Sequence, residues 1–404
     1  MTARRRPRWS ELQPLLRTRG VHRSLTEARL AKVASIPDLR RLASRRAPRA
    51  VFDYTDGAAG EEVSLLRART AYRRVEFQPT VLEDVSTVEL STTILGRPAS
   101  LPLVFAPTGF TRMMHTEGEP AVARVAARVG VPYALSTMGT TSIERLAAAA
   151  DGRRWFQLYL WRDRAASRDF VVRAREAGYE ALVLTVDTPI PGARLRDVRN
   201  GLTIPPSLSL RTMSEAALHP AWWFDLLTTE PLEFASLNRS EGTVAELVGR
   251  MFDPAATIDD LGWLRSLWDG PLIVKGIQTV ADARSVVSAG ADAVVVSNHG
   301  GRQLDRAPTP LEVLPAVVEA VGDRAEVYVD GGIMSGGDVV AAVAFGARAA
   351  LVGRAYLYGL MAGGERGVQR AADILRDEVA STLALLGVTR VCDLGPQHVR
   401  LRGL

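Results

Sequence analysis

The residues most able to do chemistry in this chain are concentrated in one run, SNHGGRQLD at 297–305. His299 carries an imidazole, the side chain best suited to moving a proton near neutral pH. Two glycines after it leave backbone room for a ligand, and Arg302 follows with a guanidinium that can grip a carboxylate through two hydrogen bonds. A second stretch, TVDTPIPGAR at 185–194, adds Asp187 and Arg194. Together the four read as a base, an acid that orients it and two clamps for a substrate carboxylate. Any one of them alone is as well explained by an ordinary solvated strand end.

A second signal lies in DGGIMSGGD (330–338) and in the VGR that ends at Arg354. Glycines at a helix start expose backbone N–H groups and the positive end of the helix dipole, which suits a phosphate. The chain has neither a P-loop nor a strand-linked GxGxxG, so a phosphorylated cofactor other than ATP or NAD is favoured. Lysine is nearly absent, with only Lys32 and Lys275 against a background of arginine, so Lys275 in VKGI marks a local requirement.

Positioning these groups takes a scaffold that brings distant segments to one face. From residue 101 onward, short β-rich apolar runs alternate with helical stretches, at 101–109, 132–137, 155–161, 181–187, 271–277, 293–298, 326–333 and 349–354. Eight such units predict an α/β fold, a TIM (β/α)8 barrel, whose chemistry gathers at the C-terminal strand ends. Those ends carry Thr108, Ser136, Gln157 with Tyr159, Thr185 with Asp187, Lys275, Ser297 before His299, Asp330 and Arg354. Residues 1–100 read as an N-terminal helical extension and cap, 101–390 as the barrel, and 391–404 as a C-terminal tail. The gap of about eighty residues after the fourth run makes 188–256 a long insertion, either a lid or a membrane or oligomer contact.

Composition sets outer bounds. Of 404 residues 47% are apolar and 24% charged, enough for a sizeable core. A single cysteine, Cys392, forms no internal disulfide and completes no cysteine zinc site, so a reducing cytosol and no metal are expected. No run of eighteen apolar residues occurs, and MTARRRPRWS leads into no apolar signal region. The net charge of +5 accompanies no nucleic-acid motif, so anionic small molecules or an anionic membrane surface are expected partners rather than DNA. The expected location is cytoplasmic, with peripheral contact at the cytoplasmic face of the inner membrane as the variant to test.

At these residues the sequence resembles the FMN-dependent 2-hydroxy acid dehydrogenases and oxidases, bacterial respiratory L-lactate dehydrogenases among them. SNHGGRQ is the most specific match, joined in the family's order by APTGF, WFQLY, LTVDTP, VKGI and DGGI, over roughly 36–400. The resemblance implies a barrel holding FMN with a 2-hydroxy acid over the flavin ring. It makes His299 the base with Asp187 its partner, and Arg194 and Arg302 the carboxylate holders. Tyr54 of FDYTDGA and Tyr159 of QLY would hydrogen-bond the substrate. Pro107, Thr108, Gly109, Ser136, Gln157 and Thr185 would line the ring and ribityl chain, with Lys275 at the flavin N1 and O2 edge and Ser297 beside it. Asp330, Gly332, Gly353 and Arg354 would hold the ribityl and phosphate end. One departure is Met334, which stands where many members carry an Arg phosphate clamp.

The activity implied is oxidation of a small L-2-hydroxy acid, L-lactate above others, with electrons passed to a quinone or cytochrome. The alternative is an oxygen-using oxidase that releases hydrogen peroxide; a non-redox FMN or phosphate-binding barrel is more distant. Gly109 favours the dehydrogenase, since the family's oxidases tend to carry Ala there. The insertion contains HPAWWFDLL, whose Trp222, Trp223 and Phe224 suit a membrane interface or, equally, an oligomer or lid contact. Phe110, Met138 and Pro191 are expected to shape the substrate pocket, and the family's common tetramer is the expected assembly.

Overall fold

The computed structural model describes residues 5, 8–13, 24–201, 218–232, 234–235 and 251–403. Its centre is a closed barrel of eight parallel strands: β1 (Leu103–Phe105), β2 (Tyr133–Ser136), β3 (Arg154–Tyr159), β4 (Ala181–Thr185), β5 (Leu272–Ile277), β6 (Ala293–Val296), β7 (Glu326–Val329) and β8 (Ala349–Val352). Each strand pairs with its sequence neighbour, and β8 closes on β1 through Ala350–Leu103 to Val352–Phe105. Crossover helices start where the sequence supplies an oxygen for the first free N–H groups: Ser142, Asp163, Thr279 and Ser335 each accept a backbone bond at a helix N-cap.

Strand parity explains the polar mouth. Val104, Ala134, Trp155, Val183, Ile273, Val295, Tyr328 and Leu351 form the inner apolar layer, which Ile94 from the hairpin of Thr92–Ile94 and Arg97–Ala99 closes from below. Side chains alternate faces with period two, so residues two or four further on point inward as well. Those residues are Thr108, Ser136, Gln157 with Tyr159, Thr185, Lys275, Ser297, Asp330 and Gly353. The sequence has therefore placed an apolar plug below a polar ring in one register.

Three helices cap one side of the mouth: α1 (Ile36–Arg46), α2 (Arg49–Asp56) and α3 (Val63–Arg73). In the 188–256 insertion, the described residues form α4 (Leu195–Asn200) and α5 (Pro220–Leu227). Of the readings weighed for the aromatics, packing on the barrel is the one that fits Trp222. Trp222 is 5% exposed and its indole N–H donates to the Met113 carbonyl at 3.1 Å. Trp223 packs edge-on against it. Trp222 fixes α5 to the barrel, because an indole that finds a buried acceptor gains more inside than at a wet surface, and Trp223 adds apolar packing with its indole nitrogen unpartnered among the described residues. The side chains left outside are Leu218, Phe224 and Leu227. The rest of the insertion, 202–217, 233 and 236–250, lies outside the described residues.

The final barrel helices are α6 (Gly336–Ala344) and α7 (Arg354–Leu386), the latter kinked at Gly363–Gly364. The last strand, Val399–Leu401, pairs antiparallel with Val75–Phe77 just after α3, so the C-terminal segment is joined to the N-terminal cap. Asp56 fastens cap and mouth together. Its carboxylate accepts from Arg40 at 2.5 and 2.8 Å, from Arg196 at 3.1 Å and from the Tyr358 hydroxyl at 2.7 Å. Burial raises its pKa, but these donors outweigh burial and hold it down at about 2. Among the described residues no helix is long and apolar enough to cross a membrane, and no cluster of His, Cys, Asp or Glu could hold a metal.

Candidate active site

His299 sits directly beyond β6, and its Nδ1 lies 3.0 Å from Asp187 Oδ1 at the end of β4. The Asp187 side chain is only 2% exposed against 21% for His299. Burial alone would raise the Asp187 pKa; the neighbouring His299, which hydrogen-bonds it, and the Lys275 ammonium more than offset that, and it stays lowered and ionised. An ionised carboxylate against Nδ1 keeps the ring's proton there and leaves Nε2 as the nitrogen able to accept another. The turn carrying the ring is left-handed at three successive residues, with φ of 58° at His299, 63° at Gly300 and 76° at Gly301. A Cβ on Gly300 would lie 2.7 Å from an Arg354 nitrogen, and one on Gly301 would lie 2.8 Å from the Leu65 nitrogen. That is why HGG follows the strand: only glycine combines this backbone with this crowding.

Around this pair the structure gathers the expected substrate groups. The Arg194 and Arg302 guanidiniums lie 5.1 and 4.8 Å from the centre of the Tyr54 ring. Arg302 donates to the Tyr54 and Gly57 carbonyls at 2.5 and 3.2 Å and meets no carboxylate among the described residues. Burial first, and then the neighbouring Arg194, push its pKa down to about 10. Arg194 has a 3.4 Å contact with Asp197. Two crowded cations of this kind favour an incoming anion. Tyr159 is buried near the same groups, and burial followed by the Asp187 charge raises its pKa, so its hydroxyl stays protonated and able to donate. Phe110 closes the side, 6.2 Å from Tyr54 and 4.6 Å from Phe234 between ring centres.

The expected cofactor residues form the ring beneath. Ser136 donates to Gln157 at 2.8 Å, and Gln157 donates to Thr185 at 3.0 Å. Lys275 bonds both Asp330 and Ser297 at 3.0 Å. Burial would lower the Lys275 pKa, but the Asp330 and Asp187 charges raise it, so the amine is a fixed cation. Thr108 shares a 2.6 Å hydrogen bond with Tyr356, and Pro107, Thr108 and Gly109 form the loop beyond β1. Asp330 Oδ1 and Asp187 Oδ2 are buried without a partner. Unpaired buried oxygens beside a fixed cation, in a ring of donors and acceptors, fit a polyhydroxylated group with an electron-rich edge, as the ribityl chain and ring of FMN provide.

At the phosphate end the structure adds contacts within the protein itself. The N-terminus of α6 is closed by the protein itself: Gly336 N–H donates to Glu378 at 2.6 Å, Met334 N–H to Asp338 at 2.7 Å and Asp338 N–H to Ser335 at 3.1 Å. Three of the N–H groups at this end are thereby already engaged. Arg354, expected as a phosphate holder, donates to the Thr55, Gly300 and Gly57 carbonyls at 2.8, 2.9 and 2.7 Å. It ties the cap to the His299 turn and leaves two of its five N–H groups for a ligand. The open helix end is that of α7, whose N-cap Gly353 makes no side-chain capping bond.

Sequence reasoning missed Gln303 and Arg196. Gln303 donates to the Asp187 and Ile190 carbonyls at 3.1 and 3.0 Å and accepts from Gly192 N–H at 3.1 Å, fixing the loop that carries both Asp187 and Arg194. Its place in SNHGGRQ was the available signal. Arg196 joins Asp53, Asp56 and Glu62 of the cap, with nothing in its local sequence to single it out.

A parallel barrel with a His–Asp pair at its mouth, paired arginines and a ring of buried donors and acceptors fits the class of flavin oxidoreductases. A profile of the FMN-dependent dehydrogenases matches residues 43–401. The chain is 57% identical over 397 residues to a Mycobacterium tuberculosis (strain ATCC 25618 / H37Rv) protein named "Putative L-lactate dehydrogenase", covering 98% of this chain and 96% of that one. It is 41% identical over 364 residues to an L-lactate oxidase of Nostoc sp. (strain PCC 7120 / SAG 25.82 / UTEX 2576), covering 89% and 96%. Among solved structures it matches a monotopic membrane protein, (S)-mandelate dehydrogenase, with a TM-score of 0.89 at 37% identity, over 92% of this chain and all of that one. The chain belongs to the FMN-dependent 2-hydroxy acid dehydrogenase and oxidase family, and FMN is its cofactor.

Proposed function

We propose that the enzyme oxidises a small L-2-hydroxy acid, L-lactate first, to the 2-keto acid and passes the electrons to a quinone or cytochrome rather than to oxygen. The observation that carries the substrate reading is the pair of arginines around Tyr54 beside the His299–Asp187 pair. Oxidation of the alcohol releases two electrons and two protons. Bound FMN would take up the two electrons together with one of these protons, the hydrogen of the C–H bond. Arg302 and Arg194 hold the substrate carboxylate, Tyr54 and Tyr159 its polar edge, and His299 Nε2 takes the proton freed as the alcohol becomes a carbonyl. Asp187 stabilises the imidazolium that results. A non-redox barrel would have no use for two carboxylate clamps beside a base.

Gly109 supports the acceptor reading. A Cβ there would fall 2.9 Å from Met138 Cβ, and Met138 is strapped in place because its carbonyl accepts from Phe110 N–H at 3.0 Å. Alanine would therefore push Met138 or its own loop and reshape the wall there, whereas glycine leaves the space clear. The exposed Leu218, Phe224 and Leu227 around α5 suit peripheral contact with a membrane that holds such an acceptor. With L-lactate in air, we expect fast reduction of a quinone analogue or dye and slow peroxide formation. Peroxide produced stoichiometrically, at the rate of dye reduction, would make the enzyme an oxidase instead.

A further inference from the structure

The phosphate end described above has lost its expected cation at Met334, and Arg354 is largely engaged by carbonyls. The inner face of cap helix α3 leads to the same place. Residues 65, 68, 69 and 72 share one helical face, following the i, i+3, i+4, i+7 pattern. Leu65, Ala68 and Tyr72 are buried while Leu66, Arg67 and Thr70 are exposed, so that face is the one turned to the barrel. Its contacts fix where it points. A Cβ on Gly332 would lie 2.7 Å from the Ala68 carbonyl oxygen and 3.1 Å from the Tyr72 ring, and a Cβ on Gly301 would lie 2.8 Å from the Leu65 nitrogen. The helix thus runs across the His299 turn and onto the DGGI loop.

Arg69, on this face, is half-buried and makes no hydrogen bond or ion pair with any described residue. Its charge acts on both Arg354 and Asp338, at the starts of α7 and α6, in keeping with the packing of this face on Gly332. One turn on, the Tyr72 side chain is 6% exposed and its hydroxyl is buried without a partner. A lone half-buried guanidinium and an orphaned phenol, next to Gly332 and to the uncapped start of α7, are an incomplete anion site. We propose that Arg69 supplies the cationic grip on the FMN phosphate that Met334 does not, with the Tyr72 hydroxyl donating beside it. This rests on FMN lying with its phosphate at the β7 and β8 loops.

The test compares FMN with riboflavin, which lacks the phosphate, by quenching of flavin fluorescence on the full-length protein after its flavin is removed. Arg69→Met should weaken FMN binding about 10- to 100-fold, the range for losing hydrogen bonds to a charged group, and leave riboflavin binding within about twofold. Met334→Arg added to Arg69→Met should recover most of the lost FMN affinity. Arg69→Gln, the milder change, reads the same FMN-to-riboflavin ratio if the methionine variant does not fold. Equal weakening toward both flavins would mean that Arg69 only supports the cap, and an unchanged ratio in every variant would equally overturn the assignment.

Discussion

Replacing His299 by Gln is expected to slow flavin reduction by L-lactate by a factor of roughly 100 to 10,000, the usual span for losing a positioned general base, with FMN still bound. The amide has similar size and can still meet Asp187, so the turn has no steric reason to collapse. It has no basic nitrogen to accept a proton. The 58° φ at His299 is also carried with two following glycines in the same region, so the strain belongs to the turn and not to the imidazole. Rapid-mixing measurement of flavin bleaching, with the FMN content measured on the same sample, separates the two effects. Near-normal bleaching in the variant would remove His299 from the base role.

Arg302→Lys is expected to lower kcat/KM on the order of 100-fold for every carboxylate substrate, mostly through KM, as befits a charge retained with its planar fork lost. In the native site the guanidinium reaches two cap carbonyls and the face of Tyr54 at once. An ammonium can satisfy one of these directions and still leaves a buried cation beside Arg194. Steady-state kinetics with L-lactate and larger 2-hydroxy acids read this directly. A uniform rise in KM across side chains marks a carboxylate clamp, and unchanged kinetics would show that Arg302 serves only to hold the cap.

The barrel was legible because each strand is a short β-rich run whose alternate residues are apolar and then polar at its end. Val183 followed by Thr185, and Val295 followed by Ser297, show that pattern within three residues. His299, Arg302 and Asp187 were legible for a related reason, since each lies within a few residues of a strand end. What escaped was pairing between distant segments. Arg354 meets Thr55 across 299 positions, and Arg40 and Arg196 reach Asp56 from opposite directions along the chain. No local pattern encodes such contacts. Local sequence also gives no sign that Gly336 at the glycine-rich start of α6 donates to Glu378, 42 residues away. Trp222 and Trp223 were ambiguous in sequence since an indole suits a membrane surface and a buried pocket equally; for Trp222 the Met113 carbonyl favours the pocket.

The central claim is that this barrel removes two electrons from an L-2-hydroxy acid and delivers them to its own FMN. Anaerobic titration of the FMN-loaded enzyme with L-lactate, following the visible flavin absorption and the 2-keto acid formed, tests it without any external acceptor. Complete bleaching with one pyruvate per FMN is the predicted result, with D-lactate leaving the spectrum unchanged. A flavin spectrum that persists with excess L-lactate and with a panel of other L-2-hydroxy acids would contradict it.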